Sequence, residues 1–151
     1  YNAIIFNTES VYRNKNYLIP KICLAAIKAK KYKLKTSFGN LNIVREWNWC
    51  DEQCKYMLKF LNKKPQDFIL SNNKPISAKI MLNYAFKYFK LNYSDFIYFN
   101  KSNLRKKDFR YRQSDNKSIF KKNNIKFNYK IYGKKMIHKL IKYYLKNNFL
   151  K

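Results

Sequence analysis

Glycine is almost absent from this chain, with two in 151 residues. One of them lies in Ser37-Phe38-Gly39-Asn40-Leu41, shortly before Arg45-Glu46-Trp47. So few glycines leave very few points at which the backbone can turn tightly or pass close to another group, since only glycine does either without steric cost. Gly39 marks such a point. Arg45, close behind it in the chain, is a natural partner for a phosphate.

The remaining composition describes a folded domain. Hydrophobic residues make up 46% and aromatic residues 19%, which excludes a disordered tail, and 151 residues suffice for one domain with a real core. Lysines interrupt every apolar run well before the ~18 residues of a membrane span. Tyr1-Asn2-Ala3-Ile4-Ile5-Phe6 has no initiating methionine and no basic leader, so no signal peptide is visible and the chain looks truncated. Cys23, Cys50 and Cys54 cannot all pair, and a single histidine, His138, leaves a zinc site short of a fourth ligand. Free thiols in a reducing cytoplasm are expected, and no metal.

A net charge of +26 admits two readings. Basic side chains attract phosphate backbones, which suggests a small nucleic-acid-binding protein. Codon drift is the other, because lysine, asparagine, isoleucine, tyrosine and phenylalanine are all read from AT-rich codons. Lysine greatly outnumbers arginine, the better bidentate phosphate ligand, and the lysines spread along the chain instead of forming one block. Drift is the favoured reading, with no specific nucleic acid as partner.

Periodicity gives the elements. Residues 3–6 read as a short buried strand, and residues 7–16 as a loop. A helix begins near Leu18 with Pro20 in its first turn and buries Ile22, Ala25, Ala26 and Ala29. Residues 35–38 form a strand leading to Gly39. Asp51 and Glu52 favour a helix start, with Cys54, Met57, Leu58 and Leu61 as its buried stripe and Pro65 closing it. A strand at 67–71 precedes a helix capped by Ser77 that buries Ile80, Met81, Tyr84, Ala85 and Tyr88. Residues 96–99 read as a strand and 117–122 as a short helix. A terminal helix carries Ile137, Leu140, Ile141 and Tyr144 on one side, with His138 beside that stripe as a structural or exposed histidine. Strands alternate with helices, so the class is α/β in one unit, 1–151.

Four segments carry a resemblance. Phe6-Asn7-Thr8-Glu9-Ser10 resembles a family segment Phe-Asn-His-Glu-Ser. Gly39-Asn40-Leu41 with Arg45-Glu46-Trp47 resembles Gly-Asn-Leu-Asp-x-x-Arg-Asp-Trp. Asp67-Phe68-Ile69-Leu70-Ser71 resembles Asp-Phe-Val-Ile-Ala, and Arg105-Lys106-Lys107-Asp108 matches an arginine and an acid three apart. The family is that of the GDP-mannose 4,6-dehydratases, extended members of the short-chain dehydrogenase/reductase superfamily. The resemblance implies the C-terminal, substrate-binding portion of a Rossmann-type fold, with the N-terminal dinucleotide-binding half missing. It further implies NADP as cofactor, GDP-mannose or a related GDP-sugar as small-molecule partner, and a homo-oligomer of the full-length protein.

Residue by residue, the resemblance assigns Asn7, Lys21, Gly39, Asn40, Arg45, Arg105 and Asp108 to substrate binding. Arg45 and Arg105 would contact the diphosphate and Asp108 the ribose diol, chemistry that suits fixed cationic donors and an acceptor-only carboxylate. Arg13 is retained from a Pro-Arg-Arg-Gly loop that reaches the cofactor of a neighbouring subunit, where this chain reads Val11-Tyr12-Arg13-Asn14. Trp47 matches a packing position, while Trp49 has no match and is free to stack on a base. No Gly-x-x-Gly-x-x-Gly turn follows an opening strand, so nothing here cradles a dinucleotide. Tyr17 and Lys21 have the spacing of the superfamily's proton-transfer pair, but the family places that pair before the strand at residues 3–6. No catalytic residue is therefore expected in this chain. Besides the nucleic-acid binder, the alternative is a reductase or epimerase acting on a related GDP-sugar.

Overall fold

The computed structural model describes residues 1–104 and 109–149. Strand β1 (Asn2–Ile5) lies parallel to β6 (Asp67–Leu70), with Asn2 opposite Asp67 and the Asn2 amide donating to the Asp67 carboxylate at 2.8 Å. β2 (Thr8–Glu9) pairs in parallel with β5 (Asn48–Trp49), and β3 (Thr36–Phe38) with β8 (Ile97–Phe99). β4 (Val44–Arg45) runs antiparallel to β7 (Ile76–Ser77). Parallel strands require crossovers, and α1 (Leu18–Tyr32), α2 (Cys50–Leu61) and α3 (Ala78–Tyr88) lie in them, while α4 (Lys117–Lys122) and α5 (Gly133–Lys146) follow the last strand. The α/β class expected from the alternation is the one observed.

Two apolar clusters hold these layers. The larger lies where α1, α3 and α5 pack on one another, around Ile22, Ala26, Met81, Phe86, Ile137 and Leu140. The apolar periodicity of α1 and α5 is met in full, since Ile22, Ala25, Ala26 and Ala29, and Ile137, Leu140, Ile141 and Tyr144, are all buried. α1 ends at Lys33, whose left-handed backbone (φ 56°) lets its N–H reach the Ala29 carbonyl at 3.1 Å. Ser77 caps α3 as expected, its hydroxyl accepting from the Ile80 N–H at 3.2 Å. The second cluster is aromatic. Phe60 stacks on Phe68 with centroids 4.3 Å apart and meets Phe120 edge-on at 5.1 Å, with Tyr56 and Tyr129 beside them.

Several expectations need correction. The first strand is Asn2–Ile5 and is not buried, because Ile4 and Ile5 are 55% and 48% exposed. The segment 7–16 contains the short strand β2. In α2 the buried residues are Gln53, Tyr56 and Phe60, whereas Cys54, Leu58 and Leu61 face outward and Met57 is half-buried. Gln53 holds an inner position because its side chain is satisfied there: its amide donates to the Leu70 carbonyl at 3.2 Å, which also accepts the Phe6 N–H, and its oxygen accepts the Thr8 hydroxyl at 2.5 Å. α2 closes at Leu61, ahead of Pro65. In α3, Met81 and Ala85 are buried with Leu82 and Phe86, while Ile80 is exposed and Tyr84 and Tyr88 are half-buried. Trp49 is not free for a base: it is buried against the core with the Lys139 ammonium 4.6 Å above its ring. Glu52 does more than start α2, since its carboxylate accepts the N–H groups of Lys130 and Ile131 at 2.7 and 3.0 Å.

Candidate substrate cavity

A cavity of about 820 Å³ opens where the loop after β2, the start of α1, the Gly39 turn and β4 converge. Asn7, Arg13, Lys21, Gly39, Asn40 and Arg45 all line it. These are all the nominated site residues that fall within the described chain. Arg105 and Asp108 lie outside the described residues.

Each is positioned by a separate local device. The Asn7 carbonyl is fixed by the Asn48 backbone N–H at 2.9 Å and side-chain amide at 3.1 Å, which joins the end of β1 to β5. Lys21 lies on the first turns of α1, its N–H bonded to the Tyr17 carbonyl at 2.9 Å and its ammonium 5.0 Å from the centre of the Phe38 ring. Gly39 is required by close approach: a β-carbon there would sit 2.8 Å from the backbone carbonyl carbon of Asn103. Asn40 closes the same turn, its side-chain oxygen accepting the Asn42 N–H at 2.9 Å. Arg45 is buried, and its guanidinium donates to the carbonyls of Val44 at 2.7 Å, Arg110 at 3.4 Å and Phe109. Arg13 folds back so that its guanidinium lies 3.9 Å above the Tyr17 ring.

The next residue along β4's strand segment explains how Arg45 is held. Glu46 is fully buried, and its carboxyl accepts the Ser114 N–H at 2.9 Å, the Ser114 hydroxyl at 2.7 Å and the Ser71 hydroxyl. It therefore ties the segment carrying Phe109 and Arg110 to the end of β6. Val44 completes the attachment, exchanging backbone bonds with Arg110 at 2.7 Å and Arg112 at 3.1 Å.

Sequence reasoning missed two cavity residues of chemical weight. Arg112 reaches the wall through the attachment of its segment to Val44, Arg45 and Glu46, and nothing in its sequence surroundings signals that. Glu9 stood inside a quoted motif without being singled out. It is 3% exposed, and burial pushes its carboxyl up to about 7 while the nearby Arg13 charge pulls it down. Among the described residues the wall thus combines four cations, Arg13, Lys21, Arg45 and Arg112, with this one acid. Leu18, Phe38, Leu41, Ile43, Trp47 and Leu104 supply its apolar part. Such a cavity suits a ligand with both a polyanionic and a flat apolar portion.

The family model for GDP-mannose 4,6 dehydratase matches residues 1–135. The chain belongs to the GDP-mannose 4,6 dehydratase family. Among its relatives, GDP-mannose 4,6 dehydratase 1 of Arabidopsis thaliana is 29% identical over 106 residues, covering 69% of this chain and 29% of the relative. The Homo sapiens GDP-mannose 4,6 dehydratase is 30% identical over 87 residues, covering 56% of this chain and 23% of the relative. The chain thus matches under a third of the length of these curated family members. In fold it is similar to RMD from Pseudomonas aeruginosa complexed with NADPH, at TM-score 0.82 and 9% identity, over 96% of this chain and 48% of that one. It is also similar to a dTDP-glucose 4,6-dehydratase from Bacillus anthracis in complex with NAD, at TM-score 0.79 and 14% identity, over 97% of this chain and 45% of that one. The chain therefore has the fold of a portion of these extended short-chain dehydrogenases, as expected, spanning under half of each of the two. Among the described residues no helix is long and apolar enough to cross a membrane.

Proposed function

We propose that this chain is the sugar-nucleotide-binding portion of a GDP-mannose 4,6-dehydratase, a cytoplasmic lyase of nucleotide-sugar metabolism. The observation that carries the reading is the convergence on one cavity of six residues that the resemblance assigns from four stretches of the sequence, at Asn7, Arg13, Lys21 and Gly39 to Arg45. Arg45 and Arg105 hold the diphosphate of GDP-mannose, Lys21 adds a further positive charge, and Asp108 takes the ribose hydroxyls. Asn7, Gly39 and Asn40 shape the wall, the glycine by letting the backbone of Asn103 close in. Binding energy from the GDP end serves to orient the sugar for chemistry at its far end.

In the complete enzyme GDP-mannose becomes GDP-4-keto-6-deoxymannose with NADP as the hydride carrier. The described residues do not build a dinucleotide cradle. Gly39 is occupied by the approach of Asn103, and Gly133, at φ 52°, opens α5. NADP is therefore held mainly by residues beyond this chain, with Arg13 as the contact from this side. The chain alone is expected to produce no 4-keto product.

Calorimetric titration of GDP-mannose into the chain and into Arg105→Ala tests the reading. A charge-assisted contact is worth about 1.5–3 kcal/mol, so the variant should bind roughly ten- to a hundredfold more weakly. Asp108→Asn should lose less, because its amide oxygen still accepts one hydroxyl. Unchanged affinity in Arg105→Ala would return that arginine to an ordinary surface ion pair.

A further inference from the structure

Buried polar atoms without a hydrogen-bond partner among the described residues include Glu9 Oε2, Arg13 Nε and Tyr144 Oη. They belong to one neighbourhood. Arg13 borders both the main cavity and a smaller one of about 490 Å³ behind it, which Tyr144 also lines, and Glu9 lies on the wall of the first. Burial raises the proton affinity of Tyr144 on α5 and Cys23 on α1, and the Glu9 charge adds to the rise in both. Arg13 is the cation that answers it. The other charged groups facing this cavity are Lys21 on α1, Arg45 on β4 and Arg112 beside β4. A carboxylate oxygen this deeply buried normally has a donor, and none of the protein groups around Glu9 Oε2 supplies one.

We propose that Glu9 is a ligand-contacting residue of the cavity that takes up a proton when a diphosphate-bearing ligand is seated, and then donates its carboxyl hydrogen to that ligand. The proposal rests on the substrate reading above and goes beyond it in naming a residue and a linked proton. A diphosphate held by Arg45 in the same cavity offsets part of the Arg13 charge that favours the Glu9 anion. It also brings negative charge to a poorly solvated wall. Both effects favour the neutral acid, whose O–H is a donor where the anion has none. The proton comes from solvent. In the empty cavity the acid already sits near the balance point, at about 7, so a modest further push suffices.

The test is calorimetric titration of GDP-mannose into the 151-residue chain at pH 7.5, in two buffers of different ionisation enthalpy, for wild type and Glu9→Gln. GDP-mannose is the right probe because its diphosphate is a diester with no group titrating near neutrality. Wild type should take up roughly half to three quarters of a proton, because about a quarter of it is already protonated at that pH, and its affinity should fall by up to about tenfold per pH unit above 7.5. Glu9→Gln, which keeps the shape of the neutral acid, should take up none and bind with flat pH dependence. Equal proton exchange in the two proteins, or none in either, overturns the proposal while leaving the substrate reading intact. Absence of GDP-mannose binding overturns both. Infrared difference spectra of wild type alone give a second measurement that needs no variant. A protonated-carboxyl C=O band should grow on adding GDP-mannose at pH 7.5, and its absence overturns the proposal.

Discussion

Replacing Glu46 should loosen the cavity without touching any ligand. Its buried carboxyl accepts three hydrogen bonds, from the Ser114 N–H, the Ser114 hydroxyl and the Ser71 hydroxyl. In Glu46→Ala the Ser114 N–H is left buried and unpaired, which costs about 1–3 kcal/mol. The vacated volume adds a further ~1–2 kcal/mol, since the surroundings relax only in part. A total near 3–4 kcal/mol would lower the melting temperature by roughly 6–15 °C in a chain of this size.

Glu46→Gln should recover more than half of that loss. Its oxygen can still accept the Ser114 N–H, and its NH₂ can donate to both hydroxyls. The hydroxyls can then turn to acceptors they already approach, Asn73 at 2.7 Å for Ser114 and Asn48 at 3.5 Å for Ser71. Urea unfolding of the three proteins measures the stabilities, and GDP-mannose titration reports whether Arg45, which donates to the Phe109 and Arg110 carbonyls of the Ser114 segment, has shifted. A Glu46→Ala protein within 1 kcal/mol of wild type, or a Glu46→Gln protein as unstable as the alanine variant, would refute the reasoning.

Four further outcomes are expected. Gly39→Ala drives a methyl group into the Asn103 backbone, so it should cost about 1–3 kcal/mol in urea unfolding and weaken GDP-mannose binding as the turn shifts. Glu9 keeps its proton in the fold up to about 7 against an ordinary 4.5, so its contribution is complete below 4.5 and is lost as pH rises through 7; melting curves from pH 5 to 8 should therefore show wild type losing stability relative to Glu9→Gln. Maleimide labelling followed by mass spectrometry should modify exposed Cys54 first and buried Cys23 only after unfolding, because burial holds the Cys23 thiol in its protonated form. RNA binding by filter retention should be weak, indifferent to sequence and largely gone at physiological salt, as expected of counterion release from a +26 chain; tight binding to one RNA under those conditions would contradict it.

What the sequence disclosed depended on how local each signal was. The α5 stripe and the Ser77 cap are set by residues a few positions apart, and both were legible. The six cavity residues were legible through their motifs, although no periodicity could have said that they meet. α2 was misread because its apolar period marks the outward face. There the deciding residue is polar: Gln53 answers a carbonyl at the end of a strand seventeen residues away. Two-residue strands such as β2, β4 and β7 are too short to show alternation at all. Glu9 and Arg112 acquire their character from burial and from a long-range attachment, neither of which is written in neighbouring residues.

The parallel pairings also set the order in which the chain can fold. Asn2 must find Asp67, and Thr36 must find Ile97, so no strand of these ladders has a partner close by in sequence. Loops of that length close late, and structures built on them fold slowly compared with helical ones. On a ribosome the pairing of β1 with β6 would wait until β6 had emerged. During that interval the edge of β1 that meets β6 would be available to other nascent chains. The lysines spread along the whole chain would then act during synthesis, keeping unfinished copies apart by mutual repulsion until the late pairings form.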